Sequence, residues 1–596
     1  MPDMENVTPS GRFGRETIWV LAMTLLGSGL RLKGLGTLGL DHFDEGIYAQ
    51  AATWIFAEGG LLAIDLGLVP YAPPGYPVLV GLAYAAIGVS GTAAILVSIL
   101  AGVLTIPALA WMSRHAFGPG AGAATAALAA MAGPHVVFSR TGLTDATFLL
   151  SWSLGMIAGA RFLERPGARR AAWFGLLVGL AQLVKYNGWM VGAIVATAVG
   201  VGAIRPGSGR TSAPRALGYG LLSATVAALV YAPWFLFVER TTGYAGLLAH
   251  HRSYVDGIPG WWPNWQQHMA QAQSLGGRLR GVVSWLSLSI GLAWVGSAIG
   301  QGGSTRSWGR FRRPGPVVAL ALAAASIAAA PANLTWWAAL AWSPVLLADR
   351  RPSARLAGTW FLAMAASTPL YHPYARLWLP TLAASWVVSG GLIASILRQL
   401  HGDAEGLDVA REVSRRPAPL AVAAVASVIM AFIGPWLLPD RVRWFPDPLA
   451  RSDGIRTLSE RLRLTAPPGG PKVSRFHLYA RPPLRFYLLQ SGMPVSTHVD
   501  LESLRSTPAG VTEFAVIDSG MGVERSGALR EGSSWGLAQP EAEYPASIAA
   551  LLDARPEQVY DASMPHLGRA DSGLAQRAPP GSGLAGTGMF WLFEAR

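Results

Sequence analysis

The sequence predicts a mainly α-helical, polytopic membrane protein with a smaller α/β unit at its C-terminal end. Three observations carry this. Hydrophobic residues make up 51% of the 596 and charged residues only 14%, where soluble domains carry roughly 25% charged. Apolar stretches of about 20 residues, the length that crosses a bilayer, recur between Thr17 and Leu438. Past Leu438 short strand-like and helix-like segments alternate, as in an α/β layer. The chain therefore divides into a membrane domain, 1–438, and an external soluble domain, 439–596.

The net charge of +13 is almost all arginine, and the only lysines are Lys33, Lys185 and Lys472. The arginines gather at the ends of apolar runs, which is the positive-inside pattern and not a nucleic-acid-binding surface. With no cysteine, the chain has no disulfide, thiol nucleophile or thiolate metal site.

Taken in order, Met1–Glu16 reads as a cytoplasmic tail and Thr17–Leu38 as the first span, with Arg31 and Lys33 snorkelling at its far end. The acidic stretch Asp41-His-Phe-Asp-Glu-Gly-Ile-Tyr-Ala-Gln50 follows, so the loop 39–90 lies outside. Within it Pro77–Val89 is too short to span and reads as re-entrant. Gly91–Met112 returns inward, Gly120–Phe138 goes out, and Thr147–Phe162 returns to the cluster Glu164 to Arg170. Ala171–Ile204 is one apolar run with basic residues at both flanks, so it crosses twice, hinged outside at Lys185-Tyr-Asn-Gly188. Leu217–Val238 leads to a long external loop, 239–280, rich in tryptophan. Val282–Ile299, the pair Pro316–Ala348 hinged at Pro331, Leu356–Leu370, Leu377–Leu397 and Leu420–Leu438 complete about thirteen spans. Beyond them the spacing predicts helices at Asp453–Leu464, Pro483–Ser491 and Tyr544–Leu552. Strands are predicted at Val473–Ala480, Val495–Val499, Thr512–Asp518 and Met589–Glu594.

This topology, set by arginines elsewhere, puts Asp44, Asp145, Lys185, His372 and Arg376 on the external side together. Ionisable side chains at a membrane are costly and point to function. Asp44 and Glu45 are the candidate catalytic bases, because a carboxylate can accept a hydroxyl proton. Asp145 is read as orienting an acceptor, as sharing a divalent cation with Asp44, or as the N-cap of the helix behind it. Lys185 and Arg376 suit a phosphate: the first is a compact charge, the second a planar fork. In the empty protein Asp44 is expected to pair with Lys185. His250 and His251 show no ligand spacing and read as ordinary loop histidines.

Several short motifs occur in a telling order: Arg31-Leu-Lys-Gly-Leu-Gly36, Phe43-Asp-Glu-Gly-Ile-Tyr48, Pro73-Pro-Gly-Tyr-Pro77, Ser139-Arg140 with Asp145, Leu183-Val-Lys-Tyr186 and Tyr374-Ala-Arg-Leu-Trp-Leu-Pro380. Over Met1–Leu438 this order resembles that of the GT-C integral-membrane glycosyltransferases, in particular the protein O-mannosyltransferase and aminoarabinose transferase (ArnT-like) branch. The resemblance implies a plasma (inner) membrane enzyme that takes a sugar from a polyprenyl-phosphate donor and passes it, with inversion, to a lipid, glycan or protein acceptor on the external, periplasmic face. It maps the family's acidic residues onto Asp44 and Asp145, its inter-helix lysine onto Lys185 and its arginine onto Arg376. Tyr48, Tyr76, Arg140 and His372 join these as expected substrate-binding residues. Leu377 stands where the family has tyrosine, and Ala72 where lysine or histidine is frequent, which weakens an aminoarabinose-to-lipid-A assignment. No organic cofactor is implied; a divalent metal, if one is used, would lie on Asp44 and Asp145. The competing readings are a secondary transporter, whose sites lie at mid-membrane between repeats, and a non-catalytic scaffold that displays the C-terminal domain. That domain is expected to cover the external mouth and select the acceptor.

Overall fold

The structure, a computed structural model, describes residues 10–40, 42–57, 72–203, 213–274, 331–401, 455–456, 459–460, 473–479, 482–492, 495–496, 512–518, 558–562 and 588–594. Asp41, the predicted spans Val282–Ile299 and Leu420–Leu438, the first half of Pro316–Ala348 and the helix Tyr544–Leu552 lie outside the described residues.

The described part is mainly helical. The first half holds α1 (Ser10–Leu32), α2 (Phe43–Ala51), α3 (Gly75–Ile87), α4 (Gly91–Phe117), α5 (Ala121–Met131), α6 (Gly133–Ser139), α7 (Asp145–Glu164), α8 (Ala168–Val184) and α9 (Met190–Ala203). Then come α10 (Ala213–Thr241), α11 (Tyr244–Arg252), α12 (Gly257–Ser274), α13 (Pro331–Leu347), α14 (Pro352–Ser367) and α15 (Leu379–His401). Four helices are long and apolar enough to cross a bilayer alone, five if the bent pair α5–α6 counts as one span, among the described residues. The predicted spans also draw on shorter helices, such as α8 and α9, which meet at the Lys185 hinge.

Small residues let the helices approach closely. A Cβ on Gly175 of α8 would lie 2.2 Å from the Ser223 carbonyl oxygen of α10, and Ser223 Oγ donates back to Ala171 O at 2.8 Å. Gly390 and Gly391 of α15 seat Thr125 and Phe117 in the same way. One core runs through α4, α5, α7, α13, α14 and α15, filled by Trp152, Trp360, Trp378 and Trp386.

Charge pairs mark the two ends of the bundle. Glu16 with Arg114, His115 with Glu164, and Arg351 with Asp349 lie at the end predicted to be cytoplasmic. Asp44 with Arg376 and Asp145 with Lys185 lie at the other.

Four local expectations are corrected. Gly120–Phe138 is not one straight span but bends by 60° between α5 and α6, where Gly133-Pro134 interrupts the hydrogen-bond ladder. Arg31 does not snorkel; it is fully buried and donates to the carbonyls of Gly27 and Ala130, to Ser139 Oγ and to His135 Nδ1. The loop 239–280 is largely helical through its described part, as α11 and α12, with Pro263 inside α12. The acidic stretch is itself a helix, α2, started by His42.

At the C-terminal end the strands β1 (Val473–Tyr479), β2 (Val495–Ser496), β3 (Thr512–Asp518), β4 (Gln558–Ala562) and β5 (Gly588–Glu594) form one sheet in the order β2-β1-β3-β5-β4. β1 runs parallel to β2 and β3, while β5 is antiparallel to β3 and β4. A helix, α16 (Pro482–Gln490), follows β1 and packs on α2. Its Leu484, Phe486, Tyr487 and Leu488 share a buried cluster with Leu38, Leu40, Ala49, Tyr76 and Tyr84.

Candidate active site

Asp44 owes its position to the cap of α2. His42 Nδ1 accepts the Asp44 N–H at 3.0 Å, and Glu45 Oε2 accepts the His42 N–H at 2.6 Å. This reciprocal pairing satisfies helix-start donors that would otherwise be orphaned. It leaves the Asp44 carboxylate turned to Arg376, with Oδ2 2.8 Å from Nη1. Arg376 sits in a single 3-10 turn, Ala375–Trp378, with its guanidinium 5.2 Å from the Tyr374 ring centre and Nη1 3.4 Å from His42 Nε2.

Asp145 is the first residue of α7, and Thr144 holds the cap position, so the N-cap reading of Asp145 is replaced. Its carboxylate still lies where a helix dipole favours negative charge. Lys185, in extended backbone, ends α8; its Nζ is 2.5 Å from Asp145 Oδ1 and 5.7 Å from the Phe148 ring centre. The turn after it closes with Gly188 N–H to Lys185 O at 2.9 Å. A Cβ on Gly188 would meet the Gln182 backbone nitrogen at 2.3 Å, so only glycine fits. The expected pairing of Asp44 with Lys185 is therefore corrected: Asp44 takes Arg376 and Asp145 takes Lys185.

Tyr48, one turn beyond Asp44 on α2, joins the two pairs. Burial pushes its hydroxyl pKa well up; the Asp44 charge adds to this, the Arg376 charge opposes it, and the Asp145 charge adds again. Its ring stands edge-on to Tyr76 at 5.7 Å.

His250 and His251, expected as ordinary loop histidines, are carried by α11 to the same place. His251 stands edge-on to Tyr186 at 5.3 Å, beside the Lys185 hinge. Burial pushes its pKa down to about 4, and the charges of His250 and Lys185 press the same way. Burial also lowers His250, with the Asp44 carboxylate working against it. The available signal was two adjacent histidines on a short helix after an apolar span, and reading 239–280 as a loop concealed it.

Other expected site residues do structural work. Glu45 is 1% exposed, and its Oε1 accepts the Gly142 N–H at 2.5 Å, which ties α2 to the turn before α7. Arg140 Nη1 donates to the carbonyls of Arg31 and Lys33 at 2.9 and 2.6 Å, closing the end of α1. Tyr76 is fully buried with its hydroxyl at 3.0 Å from both Ala94 O and Ser98 Oγ, so it supports Tyr48 from beneath. His372 turns towards Asp256 at 3.8 Å, and its N–H donates to Tyr254 O at 2.8 Å, which fixes the segment carrying Arg376. No group of three or more metal-ligating side chains occurs among the described residues, and Asp44 and Asp145 each face a cation.

The likeness to membrane glycosyltransferases meets an independent comparison here. Residues 71–237 match the family model of dolichyl-phosphate-mannose-protein mannosyltransferases. That segment holds Tyr76, Arg140, Asp145 and Lys185. No curated protein matches the sequence. Among solved structures the chain is similar to ArnT from Cupriavidus metallidurans bound to undecaprenyl phosphate, at 16% identity and a TM-score of 0.49, covering 86% of this chain and 95% of that one. It is also similar to the archaeal oligosaccharyltransferase AglB from Archaeoglobus fulgidus in complex with an inhibitory peptide and a dolichol-phosphate, at 13% identity and a TM-score of 0.43, covering 86% and 70%. A third is the S. cerevisiae Pmt1-Pmt2 protein O-mannosyltransferase complex bound to the sugar donor, at 14% identity and a TM-score of 0.32, covering 42% and 36%.

Proposed function

We propose that the protein is an inverting glycosyltransferase that moves a sugar from a polyprenyl-phosphate carrier to an acceptor hydroxyl at the external face of the plasma membrane. The observation that carries this is the pair of carboxylate–cation contacts, Asp44 with Arg376 and Asp145 with Lys185, at the same end of the bundle. A polyprenyl phosphate needs cations at the bilayer surface as its leaving oxygen gains charge. Lys185 and Arg376 would supply them. A phosphate that draws Arg376 away frees Asp44, which then accepts the proton of the attacking hydroxyl. The acceptor oxygen bonds to the anomeric carbon, the carbon–phosphate oxygen bond breaks, and the phosphate leaves with its lipid. Asp145, seated at the α7 N-terminus, would hold the acceptor or the released lysine. The match over residues 71–237 supports the same reaction class.

In this reading the chain crosses the membrane about thirteen times, and the C-terminal sheet and α16 form an external domain that selects the acceptor. Should a divalent cation take part, Asp44 and Asp145 are the residues that would hold it. Purified protein in proteoliposomes, given a set of polyprenyl-phosphate sugars, should form a product of inverted anomeric configuration by mass spectrometry and NMR. Asp44→Asn should abolish transfer while leaving polyprenyl-phosphate binding in place. Full transfer by Asp44→Asn would remove Asp44 as the base, and substrate counterflow without any sugar transfer would favour a transporter.

A further inference from the structure

The C-terminal helix α16 lies directly against the helix that carries Asp44, and the contact is built for close approach. A Cβ at Gly46 would sit 2.1 Å from Pro483 N and 2.2 Å from Pro482 C, both backbone atoms that cannot swing aside. Gln50 Nε2 donates to Pro482 O at 2.9 Å, one turn further along the same face. The Leu40 N–H, just before the α2 cap, donates to the Tyr487 hydroxyl at 2.8 Å. That hydroxyl in turn occupies the space a Cβ on Gly91 would need, 2.5 Å away at the start of α4. Gln490 Nε2 donates to Val89 O at 2.7 Å and completes the seat. Gly46 follows Asp44 by two residues, so a shift of α16 relative to α2 displaces the carboxylate that pairs with Arg376.

We infer that α16 positions the catalytic helix: the seat of Pro482–Pro483 on Gly46, locked by Tyr487, sets where Asp44 stands. This rests on the role of Asp44 proposed above and gives the C-terminal region a part in turnover beyond choosing an acceptor. Because β1 ends at Tyr479 and α16 begins at Pro482, an acceptor that engages the sheet has a short mechanical path to Asp44.

Gly46→Ala and Tyr487→Phe, in the full-length protein in nanodiscs, test it by three readouts: turnover, polyprenyl-phosphate affinity and hydrogen exchange of α2. Exchange in α2 should rise in both variants. Turnover should fall tenfold or more in Gly46→Ala and several-fold in Tyr487→Phe. Polyprenyl-phosphate affinity should hold or tighten, since a displaced Asp44 no longer competes for Arg376. Unchanged α2 exchange would refute the seat, whether or not the wild-type protein transfers sugar. Raised exchange with undiminished turnover would refute its control of the chemistry. Affinity lost in proportion to turnover would show general disruption and overturn the positioning role.

Discussion

Replacing Lys185 with alanine gives the sharpest test of the proposed phosphate site. The perturbation has two separable parts. In the empty protein it strands the Asp145 carboxylate, only 3% exposed, while the lost lysine was itself 21% exposed. Breaking a buried pair from one side costs about 3–5 kcal/mol, and the partial exposure of Lys185 puts the expected loss of stability near the lower end. With donor present, the variant also lacks a charge-assisted hydrogen bond to the phosphate, about 1.5–3 kcal/mol. At 1.4 kcal/mol per tenfold, that weakens donor binding by roughly 10- to 150-fold. Lipid-phosphate binding in nanodiscs and thermal unfolding in detergent measure the two parts separately. The double variant Lys185→Ala with Asp145→Asn should recover stability but not donor affinity, since the stranded charge is gone and the cation still missing. Asp145→Asn alone, which releases Lys185 from its competitor, should bind the lipid phosphate at least as tightly as wild type. Lys185→Arg should recover only part of the affinity, because a planar fork does not occupy the place of an ammonium. If Lys185→Ala bound donor and turned over as wild type does, Lys185 would be a structural ion-pair partner and the phosphate would belong to Arg376 alone.

Other expectations are checked more simply. Glu45→Ala, which leaves the N–H groups of His42 and Gly142 without their acceptor, should cost about 1–3 kcal/mol for each in thermal unfolding; lost turnover at unchanged stability would instead make Glu45 a catalytic group. Gly175→Ala, forced against the Ser223 carbonyl, should destabilise the α8–α10 contact by about 1–3 kcal/mol, seen as a lower melting temperature. His251 has its folded pKa pressed below the unfolded value of 6.5 to about 4, so its contribution is whole above pH 6.5 and is lost as pH falls towards 4. Hydrogen exchange of α11 should therefore rise over that window in wild type and show a weaker rise in His251→Phe.

The apolar helices were legible because apolar length is a property of the chain alone. Lys185 was legible for the same reason: a rare lysine inside an apolar run demanded a hinge, and α8 ends on it. Which cation meets which carboxylate was not, because Asp44 and Arg376 lie far apart in sequence and only the tertiary fold joins them. The acidic stretch hid its helix because its capping side chain is histidine, not serine, threonine, aspartate or asparagine, and because Gly46 reads as a helix breaker. The space taken by α16 is the reason for that glycine. In 239–280 the signals Gly257, Pro259 and Pro263 read as loop punctuation, yet α12 tolerates them and packs Trp265 against Trp336 of α13.

The chain uses similar charge pairs at both ends of its bundle, and their surroundings separate their roles. At the end opposite the site, Glu16 takes Arg114 on one oxygen and the Gly122 N–H, at 3.0 Å, on the other. Asp349 is held there three times by Arg351, through its N–H at 2.8 Å and two guanidinium nitrogens at 3.1 and 2.7 Å. Such carboxylates gain nothing by releasing a partner, because several short bonds would have to break together. Asp145 differs, since Lys185 reaches its carboxylate through a single contact, Nζ to Oδ1. Losing that partner to a phosphate is tolerable at this position in particular. The carboxylate begins α7, where unsatisfied N–H groups and the helix dipole stabilise a negative charge by about 0.3–1 kcal/mol. A buried ion pair is weak support for stability in itself. One that can be opened by an incoming anion, with a helix N-terminus ready to hold the carboxylate left behind, meets the requirement of the proposed phosphate site.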